Sequence, residues 1–260
     1  MYLSCGGVRF FLLLVFVMLT VAGRSSSLDS VAAADDRFER FIEDLYLDLN
    51  DTTLDKQSLL YGMRGYFKMK ELDLLENDTI LTIIDMGQTS EKERMYVIDL
   101  YARCIRYCSL VAHGQKTGSL KATRFSNNHG SHQTSLGFYV TGYAFDDDRL
   151  EYCMKLKGLE RYNNNAWMRG VIVHTAWYAT PEFLEKNGGV LGRSYGCPAM
   201  PYDNYCEIID LIDDGTCYYI YHPASWQRGW SWYGNSTAYR SWFGPGSHSE
   251  IGVGWLSSQE

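Results

Sequence analysis

Surplus positive charge is the plainest lack in this chain: 24 lysines and arginines face 31 acidic residues, a formal net charge of -7 at pH 7. Without a basic excess there is no electrostatic reason to bind phosphate backbones, so nucleic-acid functions drop out. Long apolar runs are scarce as well. After the stretch over 10–21, no segment approaches the roughly 20 apolar residues that a membrane-spanning helix requires. Metal-binding patterns are also missing. His129 and His132 have a ligand-like interval, but Gly130, Ser131 and the adjacent asparagines read as a loop, and no paired Cys or His motif completes a tetrahedral set. Asp146, Asp147 and Asp148 lack the alternating ligands and the glycine of a calcium loop, and read as a solvated turn. There is no internal repeat, and neither metal nor cofactor is expected.

What is present begins with an export pattern. Arg9 precedes the apolar stretch, and Ala22 and Gly23 offer a small-residue cleavage point, so residues 1–23 read as a secretory signal peptide. An uncleaved anchor is the alternative, disfavoured because the stretch is too short to span a bilayer. The expected mature protein is exported to the periplasm or cell envelope, with no stable membrane span. Cys5 leaves with the signal, and Cys104, Cys108, Cys153, Cys197, Cys206 and Cys217 remain. Export permits disulfides, with Cys206 and Cys217 the preferred pair. Reduced cysteines buried as small hydrophobes fit equally well.

A hydrophobic content of 46% in 260 residues predicts one folded catalytic domain with extensions. A linker and helical segment occupy 24–75. There Phe38, Phe41, Ile42, Leu45, Tyr46 and Leu49 recur at helical spacing, and a second helix follows Asp55, weakened by Gly62 and Gly65. From Ile80 short β-branched and aromatic runs take over, at 81–84, 95–101, 107–111, 137–143, 152–156, 170–174 and 218–221. One helix is expected over about 202–212, stopped by Asp213-Asp214-Gly215. The main domain, 76–222, is therefore mainly β with a few short helices and an N-terminal helical extension. A Trp/Gly-rich extension occupies 223–260, with Trp226, Trp230, Trp232, Trp242 and Trp255. These tryptophans either cover an apolar face or stack on sugar rings.

The stretch Gly192-Arg193-Ser194-Tyr195-Gly196-Cys197-Pro198-Ala199, with Val171-Ile172-Val173-His174 upstream, carries the chemistry. A thiol attacks only as thiolate, and an imidazole supplies the base that makes it one. On chemistry alone Cys197 and His174 are either a nucleophile and its base or a buried cysteine and an ordinary core histidine. The order excludes papain-like proteases, whose cysteine comes first, and caspases, whose Gln-Ala pair is absent before Cys197.

The segment from His174 to Cys197 resembles the active site of the YkuD-like L,D-transpeptidases, in which an upstream His precedes a Ser-x-Gly-Cys loop. The match is closest to the murein L,D-transpeptidase catalytic domain branch, which is also similar at Ile83-Ile84-Asp85, Tyr96-Val97-Ile98-Asp99-Leu100, Val111-Ala112-His113-Gly114, Phe125-Ser126-Asn127, the stretch from Ser135 to Gly142 and Gly158-Leu159-Glu160. The similarity runs from about Gly65 to Tyr221. Two departures stand out: Tyr195 replaces the common histidine two positions before the cysteine, and Thr175 replaces the glycine after the upstream histidine.

The resemblance implies a mixed β-sandwich or barrel and an exported enzyme that uses no cofactor. Its substrate would be the peptidoglycan stem tetrapeptide: Cys197 attacks the third-residue carbonyl, releases D-alanine and passes the acyl group to an amine, or to water in a carboxypeptidase. A non-catalytic wall-binding protein is the rival from another class. By resemblance His174 is the base, the Thr175 carbonyl orients it, and the N–H groups of Tyr195, Gly196 and Cys197 form the oxyanion hole. Arg193 and Arg169 hold substrate carboxylates or structural ion pairs. Ser194 and Tyr139 lie in or near the groove or simply pack. Carbapenem-type inhibitors are expected partners.

Overall fold

The computed structural model describes residues 7–224 and 231–245, with side chains from residue 28 onward. The chain divides into two compact units, Met1–Phe41 with Tyr239–Glu260, and Ile42–Ala238. Helix α1, Gly7–Leu49, runs without a break through the Ser/Ala-rich stretch expected as a linker. In the smaller unit Phe38 stacks on Tyr239 with centroids 4.0 Å apart, and Arg240, the first residue of the short helix α5 (Arg240–Phe243), makes a two-pronged bond to Asp35. The expected signal peptide lies wholly where side chains are not described. Among the described residues, no helix is long and apolar enough to cross a membrane.

The larger unit is built on one mixed sheet. Its strands are β1 (Ile80–Asp85), β2 (Glu93–Asp99), β3 (Cys104–Leu110), β4 (Gly137–Asp147), β5 (Glu151–Gly158), β6 (Ile172–Thr175), β7 (Ala199–Met200) and β8 (Cys217–Tyr221), in the order β3-β2-β1-β8-β4-β5-β6-β7. β1 runs parallel to β8 and β6 parallel to β7, and the other pairs are antiparallel. All seven expected strands form, within a few residues of their expected ends. The missed strand, β7, is two residues long and beyond the reach of any periodicity argument.

Both faces of the sheet centre are covered, which is why β1 and β8 read as continuous apolar runs rather than alternating ones. On one face Ile84, Val97, Tyr139, Leu156, Tyr218 and Ile220 join Ile208, Ile209 and Ile212 of α4 (Tyr205–Ile212). On the other lies α2, Lys56–Glu71, opened by Asp55, whose carboxylate accepts from the Gln57 N–H. Gly62 and Gly65 are contact residues rather than weak points. A Cβ at Gly65 would lie 2.1 Å from the Phe138 ring, so only glycine lets α2 sit this close.

After the short helix α3 (Pro181–Lys186), α4 starts at Tyr205, three residues later than expected, because Asn204 is left-handed at φ 54°. The expected stop holds, with Gly215 at φ 81°. The preferred Cys206–Cys217 disulfide is not formed, and among the described residues all six cysteines are free. The cause is the pleat of β8: Cys217 points to the α2 face, with Sγ 3.4 Å from Met69 Sδ, whereas Cys206 sits on α4 against the opposite face.

Near the C-terminal side, the buried Glu160 carboxylate accepts from the Phe138 and Tyr233 N–H groups and from the Ser231 hydroxyl, tying 231–233 to β4. Asp147 accepts from the Arg149 and Leu150 N–H groups, the expected polar turn between β4 and β5. Of the tryptophan-rich extension, Trp226, Trp230 and Trp255 lie outside the described residues. Trp232 is exposed, with the Lys68 ammonium 5.4 Å above its ring.

Candidate active site

Parallel pairing of β6 with β7 brings the backbone of His174 next to that of the residues after Cys197, 23 positions along the sequence. His174 lies opposite Ala199, and its N–H donates to the Pro198 carbonyl at 3.3 Å, one residue from Cys197. The His174 ring is buried, and its Nδ1 is 2.7 Å from the Thr175 carbonyl oxygen. A carbonyl only accepts, so Nδ1 carries the proton and Nε2 presents the free lone pair of a base.

Cys197 is half-buried, with its thiol directed at the Gly170 carbonyl, Sγ to O 3.7 Å. Burial pushes its pKa above the ordinary thiol value, while the Ile172 N–H and the Arg169 charge pull it back. Burial lowers the His174 pKa, with the Thr175 carbonyl opposing. At rest the pair is thiol and neutral imidazole.

The loop that carries the thiol is clasped by Ser194. Its N–H donates to the His113 carbonyl at 3.0 Å, its carbonyl accepts from the Gln115 N–H at 2.8 Å, and its hydroxyl donates to the Cys197 carbonyl at 2.6 Å. The same hydroxyl accepts from the Gly196 N–H at 3.0 Å. That N–H is therefore engaged within the loop rather than turned toward a substrate oxygen. Among the described residues, the N–H groups of Tyr195 and Cys197 have no acceptor. Gly196 stands at φ 125°, and a Cβ there would lie 2.7 Å from the Gln133 carbonyl oxygen, so glycine is required at this turn.

The two arginines differ. Both terminal nitrogens of Arg169 are occupied: Nη1 donates to the Ser126 carbonyl and the Ser135 hydroxyl, Nη2 to the Gln133 carbonyl and the Ser131 hydroxyl, at 2.7–3.4 Å. No two-pronged face is left for a substrate carboxylate. The charge instead clamps the 126–135 loop and faces Cys197. Arg193 is exposed, donates to the Gly118 carbonyl at 3.3 Å and lines a cavity of about 390 Å³ together with Gln115, Ser119, Phe183 and Leu191. Tyr139 is fully enclosed, its hydroxyl bonded to Ser135, and touches the site only through that serine's bond to Arg169. Tyr195 is exposed, its ring 4.5 Å from that of His132.

One neighbour has no signal in the sequence. Tyr178 faces Cys197, Tyr195 and Tyr202, and its phenol is pushed up to about 12, chiefly by burial. It packs on Gly192, where a Cβ would lie 2.3 Å from its own. A thiol on a loop bonded through its backbone to the strand that carries an oriented imidazole, and faced by a fixed cation, has the groups needed for acyl transfer through a thioester. Among the described residues, no cluster of His, Cys, Asp or Glu could hold a metal ion.

A family profile described as L,D-transpeptidase catalytic domain matches residues 50–221. No curated protein matches significantly. Similar solved structures include an L,D-transpeptidase from Mycobacterium smegmatis, at 13% identity over 55% of this chain and 58% of that one, TM-score 0.36. Another is L,D-transpeptidase 3 from Mycobacterium tuberculosis in complex with a faropenem-derived adduct, at 13% identity over 55% and 60%, TM-score 0.35. A third is an L,D-transpeptidase from Stackebrandtia nassauensis, at 13% identity over 70% and 77%, TM-score 0.34. The chain spans less than two thirds of the length of the first two.

Proposed function

We propose, from the premise that the chain belongs to the L,D-transpeptidase catalytic domain family, that it is an exported peptidoglycan L,D-transpeptidase in which Cys197 is the nucleophile and His174 its base. The observation that carries this reading is the 2.7 Å bond from His174 Nδ1 to the Thr175 carbonyl, which leaves Nε2 as the proton acceptor on a strand bonded to the residue after Cys197.

As Sγ attacks the third-residue carbonyl of a stem tetrapeptide, Nε2 takes the thiol proton. The tetrahedral oxyanion meets the N–H groups of Tyr195 and Cys197, in the field of Arg169. Its collapse breaks the bond to the terminal D-alanine, whose nitrogen takes the proton from the imidazolium, and a thioester remains. An amine of a second stem then attacks the thioester, gives its proton to Nε2 and restores the thiol. Water in place of the amine makes the enzyme a carboxypeptidase.

Purified protein incubated with tetrapeptide muropeptides should give crosslinked dimers, lost in Cys197→Ser and His174→Ala. Tripeptides without dimers at high acceptor concentration establish the hydrolytic reading. Wall binding with no product from the wild type establishes a non-catalytic binding protein.

A further inference from the structure

Beneath the nucleophile loop lies a buried charge that this reaction does not use. Arg94 on β2 is fully enclosed, and its hydrogen-bond acceptors among the described residues are all neutral. Nη1 donates to the Gln88 carbonyl at 2.8 Å, Nε and Nη2 to the Val111 carbonyl at 3.3 and 2.8 Å, and Nη2 also to His113 Nδ1 at 2.8 Å. Asp85 reaches the guanidinium only through its longer-range field. A guanidinium has no acceptor, so Nδ1 accepts and the proton of the neutral His113 ring sits on Nε2, which is buried and faces the backbone of Gly118 and Ser119.

Enclosing a cation against a neutral imidazole is costly, and a pair of apolar side chains would fill the space more cheaply. What the pair does hold is the strip 112–115, which grips the nucleophile loop at both ends. Ala112 exchanges backbone bonds with Ala199 at 2.7 and 3.4 Å, the His113 carbonyl accepts from the Ser194 N–H, and the Gln115 N–H donates to the Ser194 carbonyl. Contact is tight between these grips. A Cβ at Gly114 would lie 3.0 Å from Gly196 Cα and 2.6 Å from the His132 carbonyl oxygen, so a shift of the strip passes directly to the residue before Cys197.

We propose that the buried Arg94–His113 pair is the positioning strut of the nucleophile loop, fixing the strip 112–115 and through Ser194 the placement of Cys197. This rests on Cys197 being the nucleophile. A group misplaced by an ångström loses much of its rate while binding is little changed, so the strut acts on acylation rather than affinity.

The test follows imipenem acylation of the full chain by intact mass, resolving the first-order rate from KI, alongside deuterium uptake over 190–200. In His113→Leu the acylation rate should fall about tenfold or more with KI little changed, and uptake should rise. His113→Asn, which keeps a neutral acceptor for Arg94, should restore most of the rate. The double variant Arg94→Met/His113→Leu removes the buried charge together with its partner and so guards against simple misfolding. It should melt near the wild type and still acylate slowly. A double variant that folds and acylates at the wild-type rate overturns the proposal, as does a His113→Leu variant with rate and uptake both unchanged. If the wild type takes no imipenem, the nucleophile reading fails. Deuterium uptake then decides the strut alone, with faster exchange supporting it and unchanged exchange overturning it.

Discussion

At the residue scale, Cys197 and His174 are poised as an uncharged pair. Burial raises one pKa and lowers the other, so in the proposed mechanism the thiolate forms as attack begins rather than standing in reserve. The acid limb of the acylation rate should therefore lie below the ordinary imidazole value of about 6.5, because His174 stays unprotonated to lower pH. A rate profile in pH measures this, and a limb at or above 6.5 contradicts it. Among the described residues, Arg169 supplies the positive charge that counters the burial of Cys197. Arg169→Gln should raise the thiol pKa and slow iodoacetamide labelling of Cys197 at neutral pH, and unchanged labelling would contradict this. Cys197 and His174 could be proposed from sequence because their residue types carry the chemistry. Arg169, Ser194 and Tyr139 could not be read in the same way. Whether a guanidinium meets carbonyls or substrate, and whether a hydroxyl clasps a loop or faces a groove, depends on neighbours more than 30 positions away or on local turn geometry.

At the element scale, the segments most legible in sequence were those with a sustained period, and the least legible were set by close approach. The seven expected strands and α4 followed from apolar runs and turn residues. The glycines of α2 read as weaknesses because propensity knows nothing of the Phe138 ring packed on Gly65. Gly65→Ala improves helix propensity by about 1 kcal/mol yet forces overpacking of about 1–3 kcal/mol. Thermal unfolding should therefore show a lower Tm, and an unchanged or higher Tm would mean that α2 does not bear on the sheet here. Glu160 makes the complementary case. Glu160→Ala leaves the buried N–H groups of Phe138 and Tyr233 without acceptors, about 1–3 kcal/mol each, and limited proteolysis should then cut faster near 231–234.

At the scale of the whole molecule, buried histidines tie stability to pH. His113 titrates near 4 in the folded state, held down by burial and by Arg94, but near 6.5 when unfolded. Between those values the unfolded chain binds a proton that the folded chain refuses, so stability is full above about 6.5 and is lost as pH falls toward 4. That single group contributes about 3 kcal/mol of loss. Chemical denaturation at pH 7 and pH 4.5 should show a smaller difference in His113→Asn than in the wild type.

The sequence by itself determined the mainly β class, the places of its strands and the family resemblance, and it singled out Cys197 and His174 as candidates, because these rest on residue type, period and short-range order. Only the tertiary structure decided which groups surround the thiol. The parallel β6–β7 pairing, the free Cys206 and Cys217 on opposite faces of β8, the Ser194 clasp and the buried Arg94–His113 pair all arise from contacts between distant segments, whose partners no local pattern specifies.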